Sequence, residues 1–256
     1  MRLLCLTSAF AIIILVAGCY TYPEFYPAIY YTNVPNSYPL TNMGSAHCIS
    51  YDVNIATRRQ TGYAEAGDWL TEEHIFLNRL NYGWTFGDSG YCVSLGAFGY
   101  LGNYSIDCTY EPSTYSGTHS VYGFGPQLSC NAYARKGIVS FGVGGYTAPF
   151  YFESGEYARL MDSDNPLFFL GAVYPFFQVD IPGQANAKIL SRLFTIGLPG
   201  YFGTDLALFI NNFYMWFGGM EFEDGQRRFG GGIGICLQGK KENVAKNGNS
   251  AQISSE

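Results

Sequence analysis

Apolar and polar residues alternate with a period of two through the middle of this chain. The pattern is cleanest in residues 47–57, 138–146 and 229–237. In the first of these, one face carries Ile49, Tyr51, Val53 and Ile55, and the other carries Cys48, Ser50, Asp52 and Asn54. In the other two, Val, Phe and Ile alternate with Gly, Ser and Cys. Because successive side chains of a strand point to opposite faces, the pattern predicts three β-strands.

Further segments of strand-like composition fill the space between these three. They are 73–87, 91–101, 119–133, 167–178, 188–198 and 206–220, with 103–110 as a further candidate. Turn signals separate several of them, for example Gly87-Asp88-Ser89-Gly90. Thr71 and Glu72 resemble a helix start, so residues 68–80 could instead open as a short helix. Closed antiparallel barrels of one chain have even strand numbers. We therefore predict an all-β, up-and-down barrel of eight to ten strands, with ten favoured.

The face opposite the apolar one consists mainly of Gly, Ser, Cys and Asn. Charged residues make up only 13% of the chain and aromatic residues 18%, whereas a soluble domain carries about 25% charged residues. These values favour a narrow lumen of small side chains and apolar faces that contact lipid. Two aromatic clusters are predicted to lie at the membrane interfaces, namely Tyr82, Trp84 and Phe86, and Tyr214, Trp216 and Phe217. Because alternation cannot distinguish inside from outside, a soluble barrel or sandwich with an aromatic core remains the alternative.

The Gly–aromatic alternation over residues 47–238 resembles outer-membrane β-barrel proteins in general. This likeness is compositional and implies a bacterial outer-membrane location. The formal net charge is −6, and no Lys/Arg stripe is present to bind phosphates. Nucleic acid is therefore not expected as a partner.

The first 19 residues have the layout of an export signal. Arg2 precedes the apolar stretch 3–16, which is shorter than the roughly 20 residues that a membrane-spanning helix needs. Val16-Ala17-Gly18-Cys19 resembles the lipobox of bacterial lipoproteins. That resemblance implies cleavage after residue 18 and acylation of Cys19, with fatty acids such as palmitate. It also implies sorting to the outer membrane, because Tyr20 rather than Asp follows the cysteine.

The regions on either side of the predicted barrel differ from it in composition. Residues 19–46 combine the lipidated cysteine with a segment rich in Pro and Tyr, which predicts a semi-rigid tether. Residues 239–256 are polar and lack any periodicity, which predicts a disordered tail. The expected organisation is therefore signal peptide 1–18, tether 19–46, barrel 47–238 and tail 239–256.

Five cysteines remain after cleavage and lipidation: Cys48, Cys92, Cys108, Cys130 and Cys236. In a barrel with an even number of strands, the first and last strands are antiparallel neighbours. Cys48 near the start of the first strand should then face Cys236 near the end of the last. We predict Cα atoms within the roughly 4.4–6.8 Å that a disulfide requires. Because five is odd, at least one thiol is left over.

One set of residues suggests hydrolytic chemistry. Ser45-Ala46-His47-Cys48 and Gly87-Asp88-Ser89-Gly90 resemble the His and Ser motifs of chymotrypsin-like proteases, with Asp52 and Asp68 between them. Such an enzyme needs a serine activated by a histidine that a buried aspartate orients. The motifs are only about forty residues apart, too few for that fold, and Gly-Asp-Ser-Gly also suits a hairpin turn. We therefore expect no catalytic residues.

Other potential ligands are scattered along the chain. His74 and His119 stand alone, and His47 beside Cys48 lacks two further ligands at useful spacing. The acidic segment 153–164 does not match a calcium-binding loop and is predicted to be a solvated loop at the rim. No helix pattern follows the glycine run 230–234, so these glycines are expected to close a crowded lumen. We expect neither a metal nor a cofactor.

Three functions are compatible with this pattern. The first is a monomeric, non-enzymatic outer-membrane lipoprotein with a role in envelope structure, surface contact or passage of a small solute. A barrel of this size has a lumen largely filled by side chains, so a wide pore is not expected. The second is a lipid-tethered soluble barrel that resembles lipocalins and binds an apolar ligand. The third is a membrane-embedded lipid hydrolase or acyltransferase. The specific ligand, partner and process are not encoded in any motif.

Overall fold

The computed structural model describes residues 45–64, 67–88, 90–108, 117–156, 170–183, 187–198, 201–222 and 227–238. The predicted signal peptide, Cys19, almost all of the tether and the tail lie outside these residues. Within them the regular structure consists of β-strands. The strands are β1 Ser45–Ala64, β2 Gly67–Asp88, β3 Tyr91–Cys108, β4 Gly117–Lys136, β5 Val139–Ala148, β6 Phe152–Gly155, β7 Leu170–Asp180, β8 Lys188–Leu198, β9 Tyr201–Ile210, β10 Phe213–Phe222 and β11 Arg227–Gln238.

The strands form one closed antiparallel sheet in which chain neighbours are also neighbours in space. The ring closes where β1 pairs with β11, in a register that runs from Ala46 opposite Gln238 to Thr57 opposite Arg227. β5 and the short β6 both pair with the same edge of β4, so together they occupy one position in the ring. The barrel therefore has ten strand positions, and the predicted up-and-down barrel with ten strands is confirmed.

The ten positions do not arise as the sequence pattern suggested. Residues 103–108 do not form a separate strand, because β3 continues through them to Cys108, and residues 109–110 of that candidate lie outside the described part. Instead, residues 206–220 contain two strands, β9 and β10, joined by a two-residue turn. Asn211 in this turn has a φ of 56°, in the left-handed region that Asn tolerates better than most residues. Residues 68–80, for which a short helix was the alternative to a strand, belong to β2.

The two ends of the barrel differ. At one end, here called the short-turn end, β2–β3, β4–β5 and β9–β10 are each joined by two residues. Both β1 and the chain's last strand also have their outer termini there. The opposite end, here called the loop end, carries the longer connections β3–β4 and β6–β7. β1 to β4 have 18–22 residues and β7 to β11 have 10–12, so the first four strands project beyond the rest at the loop end.

A disulfide joins the first and last strands near the short-turn end. Cys48 lies directly opposite Cys236 in the register, and the two residues are 188 positions apart in sequence. Their Cα atoms are 4.1 Å apart, slightly less than the range expected above. Such a short separation is typical of directly opposed residues that do not exchange backbone hydrogen bonds, which lie about 4.5 Å apart. The covalent link therefore spans the seam that closes the barrel.

Candidate functional site

Outward-facing apolar side chains surround the barrel, and we call them the outer belt. Several are more than half exposed, among them Leu80 at 58%, Phe141 at 60% and Phe217 at 65%. Among the described strand residues, the charged side chains that face outward lie near the two ends of the strands: Glu72, Asp107, Glu221 and Arg227 at the loop end and Asp88 and Lys136 at the short-turn end. Water is therefore a poor solvent for the middle of this surface.

The height of the outer belt fits the apolar part of a bilayer. On β2 the outward residues are apolar, apart from Asn78, over residues 76–86, and on β3 they are uncharged and mostly apolar over residues 91–101. A strand that crosses a membrane at a tilt of about 45° needs about 9–11 residues. Asn78 accepts a hydrogen bond from the hydroxyl of Tyr51 on the adjacent strand, so its amide oxygen is paired within the belt.

Beyond the outer belt, toward the loop end, the projecting parts of β2, β3 and β4 have a polar outer face. His74, Asn103 and Ser105 lie on the loop-end side of the apolar residues of their strands and also face outward. The hydroxyls of Ser105 and Thr118 are 3.0 Å apart and share a hydrogen bond across β3 and β4. The change from apolar to polar side chains marks the boundary of the outer belt on the side of the loop end.

One of the two aromatic clusters predicted to lie at the membrane interfaces faces outward. The prediction for the other cluster is mostly wrong. His47 lies beside Tyr82 and Trp84 near the short-turn end, with 2.8 Å between His47 Nδ1 and the Tyr82 hydroxyl. Tyr214 and Trp216, in contrast, point into the lumen and are buried. Only Phe217 of that cluster faces outward, because neighbouring residues of a strand alternate between the two faces.

The lumen contains charged side chains that are almost fully buried. Arg192 Nε lies 2.7 Å from Asp205 Oδ2, and each side chain is 2% exposed or less. The Arg192 guanidinium also sits over the ring of Tyr174, 5.1 Å from its centre, and the Tyr174 hydroxyl donates to Asn131 Oδ1 at 3.1 Å. An ion pair, a cation–π contact and a neutral hydrogen bond thus link β4, β7, β8 and β9 across the interior.

A second network lies on the other side of the lumen. Asp52 accepts hydrogen bonds from Trp216 Nε1, at 2.7 Å, and from the amide of Asn81. Arg79 donates to Gln127 at 3.3 Å and stacks over the ring of Phe98, with 4.4 Å between its guanidinium carbon and the ring centre. These contacts tie β1, β2 and β10 into one group and connect β2 to β3 and β4.

The alternation of apolar and polar residues does not by itself mark the lumenal arginines. Arg79, Arg192 and Arg228 are among the most deeply buried side chains of the described residues. Arg79 and Arg228 lie on the same face as the small residues of their strands. This shared face was the one feature of the sequence that could have indicated their position in the lumen. Alternation gives the face of a residue, but it does not reveal which charged group will meet it across a barrel.

Two glycines of β11 make room for these networks. A Cβ on Gly232 would collide with Asp52 and Trp216, and a Cβ on Gly234 would collide with the ring of Tyr214. The expectation that the run 230–234 closes a crowded lumen therefore has a specific cause at these two positions. Large aromatic side chains from β10 fill the space that the missing side chains leave.

Polar side chains line a small cavity inside the lumen near the short-turn end. The cavity has a volume of about 10 Å³ and is lined by polar groups of Ser50, Asn81, Thr85 and Gln127, among others. That volume is about enough for one water molecule. At this level the described lumen is therefore narrow and polar.

Of the residues proposed for hydrolytic chemistry, the described pair His47 and Asp52 is not brought together. His47 faces outward and Asp52 faces inward from the same strand, so their side chains lie on opposite sides of the barrel wall. Ser89 and the side chain of Asp68 lie outside the described residues. His74 also faces outward.

The acidic segment 153–164 differs from expectation at its start. Glu153 is not solvated but buried in β6, where it accepts a hydrogen bond from the hydroxyl of Tyr100. Glu156 is exposed, and its carboxylate lies 3.9 Å from His119 Nδ1. Residues 157–164 lie outside the described part. Within the described residues, no group of three or more His, Cys, Asp or Glu side chains is arranged to hold a metal.

Cys92 and Cys130 lie on adjacent strands but face opposite sides of the wall. Cys92 points into the lumen, whereas Cys130 is on the outer face, opposite Val93 in the register. This arrangement keeps the two thiols from forming a disulfide with each other. The side chain of Cys108 and all of Cys19 lie outside the described residues.

Comparisons with known proteins give no family for this chain. No protein-family model matches it, and no curated protein does. Among solved structures it is similar to an outer-membrane channel from Pseudomonas putida F1, with 10% identity, a TM-score of 0.39 and coverage of 79% of this chain and 99% of that one. It is also similar to the β-domain of the Bordetella autotransporter BrkA, with 12% identity, a TM-score of 0.39 and coverage of 75% and 99%. Neisserial surface protein A matches at 11% identity and a TM-score of 0.30, with coverage of 76% and 99%. Likenesses this distant do not identify what the chain binds or does.

In the described residues there is no helix long and apolar enough to cross a membrane.

Proposed function

We propose that this chain is an integral β-barrel lipoprotein of the bacterial outer membrane, anchored additionally through acylated Cys19. Its role would be non-enzymatic, in envelope structure or in contacts at the cell surface. The observation that carries the proposal is the distribution of side chains across the barrel wall. Apolar groups such as Leu80, Phe141 and Phe217 face outward, while Arg79, Arg192 and Asp205 are buried inside.

This distribution is the reverse of what a soluble barrel requires. A water-soluble protein buries apolar side chains and exposes charged ones. Here the exposed belt is uncharged, and its strands have the length that crosses a bilayer. Closure of the sheet by β1 and β11 also leaves no unpaired edge at belt height, and a lipid environment demands this of a spanning sheet. Lipid is therefore the solvent that fits the outer face.

The side chains that cross the lumen favour a structural or contact role over transport. The networks around Asp52 and Arg192 cross the interior, and the cavity of about 10 Å³ beside Ser50 cannot hold more than about one water molecule. At the loop end, the polar outer faces of the projecting parts of β2, β3 and β4 would stand clear of the bilayer. They are the surface that we propose for contacts outside the membrane.

The two alternative functions have less support. A lipocalin-like carrier needs an apolar cavity inside the barrel, whereas the described lumen is rich in buried polar and charged groups. A hydrolase needs its histidine and aspartate on one side of the wall, whereas His47 and Asp52 are on opposite sides.

The membrane location can be tested without the lipid anchor. A Cys19→Ala variant, exported by an ordinary signal peptide, should remain in the outer-membrane fraction after carbonate and urea washes. It should also keep the heat-modifiable gel mobility of a folded barrel. Release as a folded soluble protein would contradict the proposal and move the ligand-carrying alternative to first place. Intact mass of the unmodified protein tests the lipid separately, since acylation adds diacylglyceryl and acyl groups to Cys19.

A further inference from the structure

A shallow apolar groove crosses the outer belt over the closure seam near the short-turn end. We infer that it binds an acyl chain carried on Cys19 of the same molecule, an inference that rests on the proposed function. The groove has a volume of about 420 Å³ and is lined mainly by aliphatic and aromatic side chains from β1, β2, β9, β10 and β11. It is a concave, apolar site on the outer face of the described barrel.

The strand register explains how the groove is built. Two parallel rows of outward side chains form its walls, and they run across the five strands. One wall consists of Leu80, Tyr51, Ile233, Met215 and Leu208, and the other of Ile49, Ile235, Phe213 and Ile210.

The floor between the walls is the row of Ser50, Gly234 and Tyr214, whose side-chain positions face the lumen. Only backbone is therefore presented outward along the floor. The hydrogen bond from Tyr51 to Asn78 holds one end of the first wall in place.

The dimensions of the groove suit one acyl chain. Five adjacent strands span about 19 Å, because neighbouring strands are about 4.8 Å apart. The two walls are two residues apart along each strand, or about 7 Å. A single leaflet contributes about 15 Å of the bilayer's hydrocarbon thickness. The groove therefore has the length of a lipid tail and room for about one, and its lining offers no charge or free polar head to another class of ligand.

The anchor is favoured over a free lipid by where the chain enters the barrel. β1 begins at Ser45 on the short-turn end, and Ile49 in the groove wall is four residues further, about 13 Å along the strand. Residues 20–44 would reach about 80 Å if fully extended, so Cys19 can sit in the leaflet that borders the groove. A free lipid loses lateral freedom when a tail is held there. The tethered lipid has already lost much of that freedom.

Photocrosslinking in the native outer membrane tests this inference. The full-length protein would carry the photoreactive phenylalanine analogue p-benzoylphenylalanine at Met215, inside the groove. The matched control carries it at Phe141, an outer-belt position on β5 that is outside the groove. After irradiation, mass spectrometry would look for a peptide crosslinked to the acylated amino-terminal Cys19 peptide. We expect about tenfold more of this crosslink from position 215 than from position 141.

A groove-filling variant provides the second arm. Leu208→Trp should lower the Cys19 crosslink from position 215 severalfold while the barrel keeps its heat-modifiable mobility. Val143→Trp, on β5, should leave the crosslink unchanged. Equal crosslink yields at positions 215 and 141, or adducts to phospholipid alone, would overturn the inference. A Cys19 residue without acyl groups would instead show that the lipidation part of the proposed function is wrong, and intact mass reports that separately.

Discussion

Arg192 and Asp205 are the clearest test of the lumen at the scale of single residues. Asp205→Ala would leave the Arg192 guanidinium in a buried site without the carboxylate that lies 2.7 Å from it. Removal of one partner of a buried ion pair costs about 3–5 kcal/mol, because the remaining charge stays desolvated. We expect the free energy of unfolding to fall by about this amount, measured by urea denaturation of the barrel in lipid vesicles.

The matched control is an exposed ion pair in the same protein. Glu221 and Arg227 are 3.6 Å apart at the loop end, and both side chains are more than half exposed. Glu221→Ala should lower the free energy of unfolding by no more than about 1 kcal/mol, because water and salt screen such pairs. Equal losses for the two variants would mean that the Arg192–Asp205 pair is not buried as described.

Asn211 permits a second prediction at this scale. Its φ of 56° suits Gly and Asn but strains a β-branched residue. Asn211→Val should therefore lower the free energy of unfolding by about 1–2 kcal/mol. Asn211→Gly should leave it within about 0.5 kcal/mol of the parent. If both variants had the same stability, the turn between β9 and β10 would not have this geometry.

At the scale of elements, the pairing of β1 with β11 is the contact that most depends on long-range closure. The Cys48–Cys236 disulfide links these strands across 188 residues of sequence. A link across so long a loop restricts the unfolded chain, and removing a native disulfide typically costs about 2–5 kcal/mol. Cys48→Ser with Cys236→Ser should lower the free energy of unfolding by about that amount.

Reductant gives an independent measurement of the same effect. Dithiothreitol should bring the parent to the stability of the double serine variant and leave that variant unchanged. Cys130→Ser, on the outer face, serves as the control and should change little. The reduced parent, the double serine variant and Cys130→Ser could all lose the barrel's heat-modifiable gel mobility. That result would indicate a general need for the cysteines and not a specific role of the disulfide between β1 and β11.

The strand elements also mark a limit of pattern analysis. The alternation in residues 47–57 and 229–237 was enough to place β1 and β11, because alternation follows from the local geometry of a strand. The turn at Asn211 carries no Gly or Pro, so residues 206–220 looked like one long strand. Residues 103–110 looked like a separate strand, although β3 continues as far as Cys108. The length of a strand is set by the strands that pair with it in the sheet. These partners cannot be identified from the sequence of one segment alone.

At the scale of the whole molecule, the outer belt predicts where a charge is tolerated. Leu95 faces outward near the middle of the apolar stretch of β3. Leu95→Arg should lower the free energy of unfolding in lipid vesicles by about 2–4 kcal/mol, because the charge would lie at bilayer depth. Urea titration of the folded barrel in vesicles would measure this loss.

Asn103 on the same strand is the control. It also faces outward but lies beyond the last apolar residue at the loop end. Asn103→Arg should lower the free energy of unfolding by no more than about 1 kcal/mol, since the cost of a charge falls toward the interface. Similar small losses for both variants would mean that Leu95 faces water, and the soluble alternative would gain support.

The sequence by itself determined the class of fold, the strand parity and the pairing of β1 with β11. A period of two follows from local backbone geometry, and an even number of antiparallel strands makes the first and last strands neighbours. Only the tertiary structure decided which face is inside. The small-residue face of β1 could have faced either way, and Tyr214 and Trp216 were assigned to the wrong side. The direction is set when strands far apart in sequence bring groups such as Asp52 and Trp216 together. Long-range electrostatic and packing contacts of this kind leave no local signature in the chain.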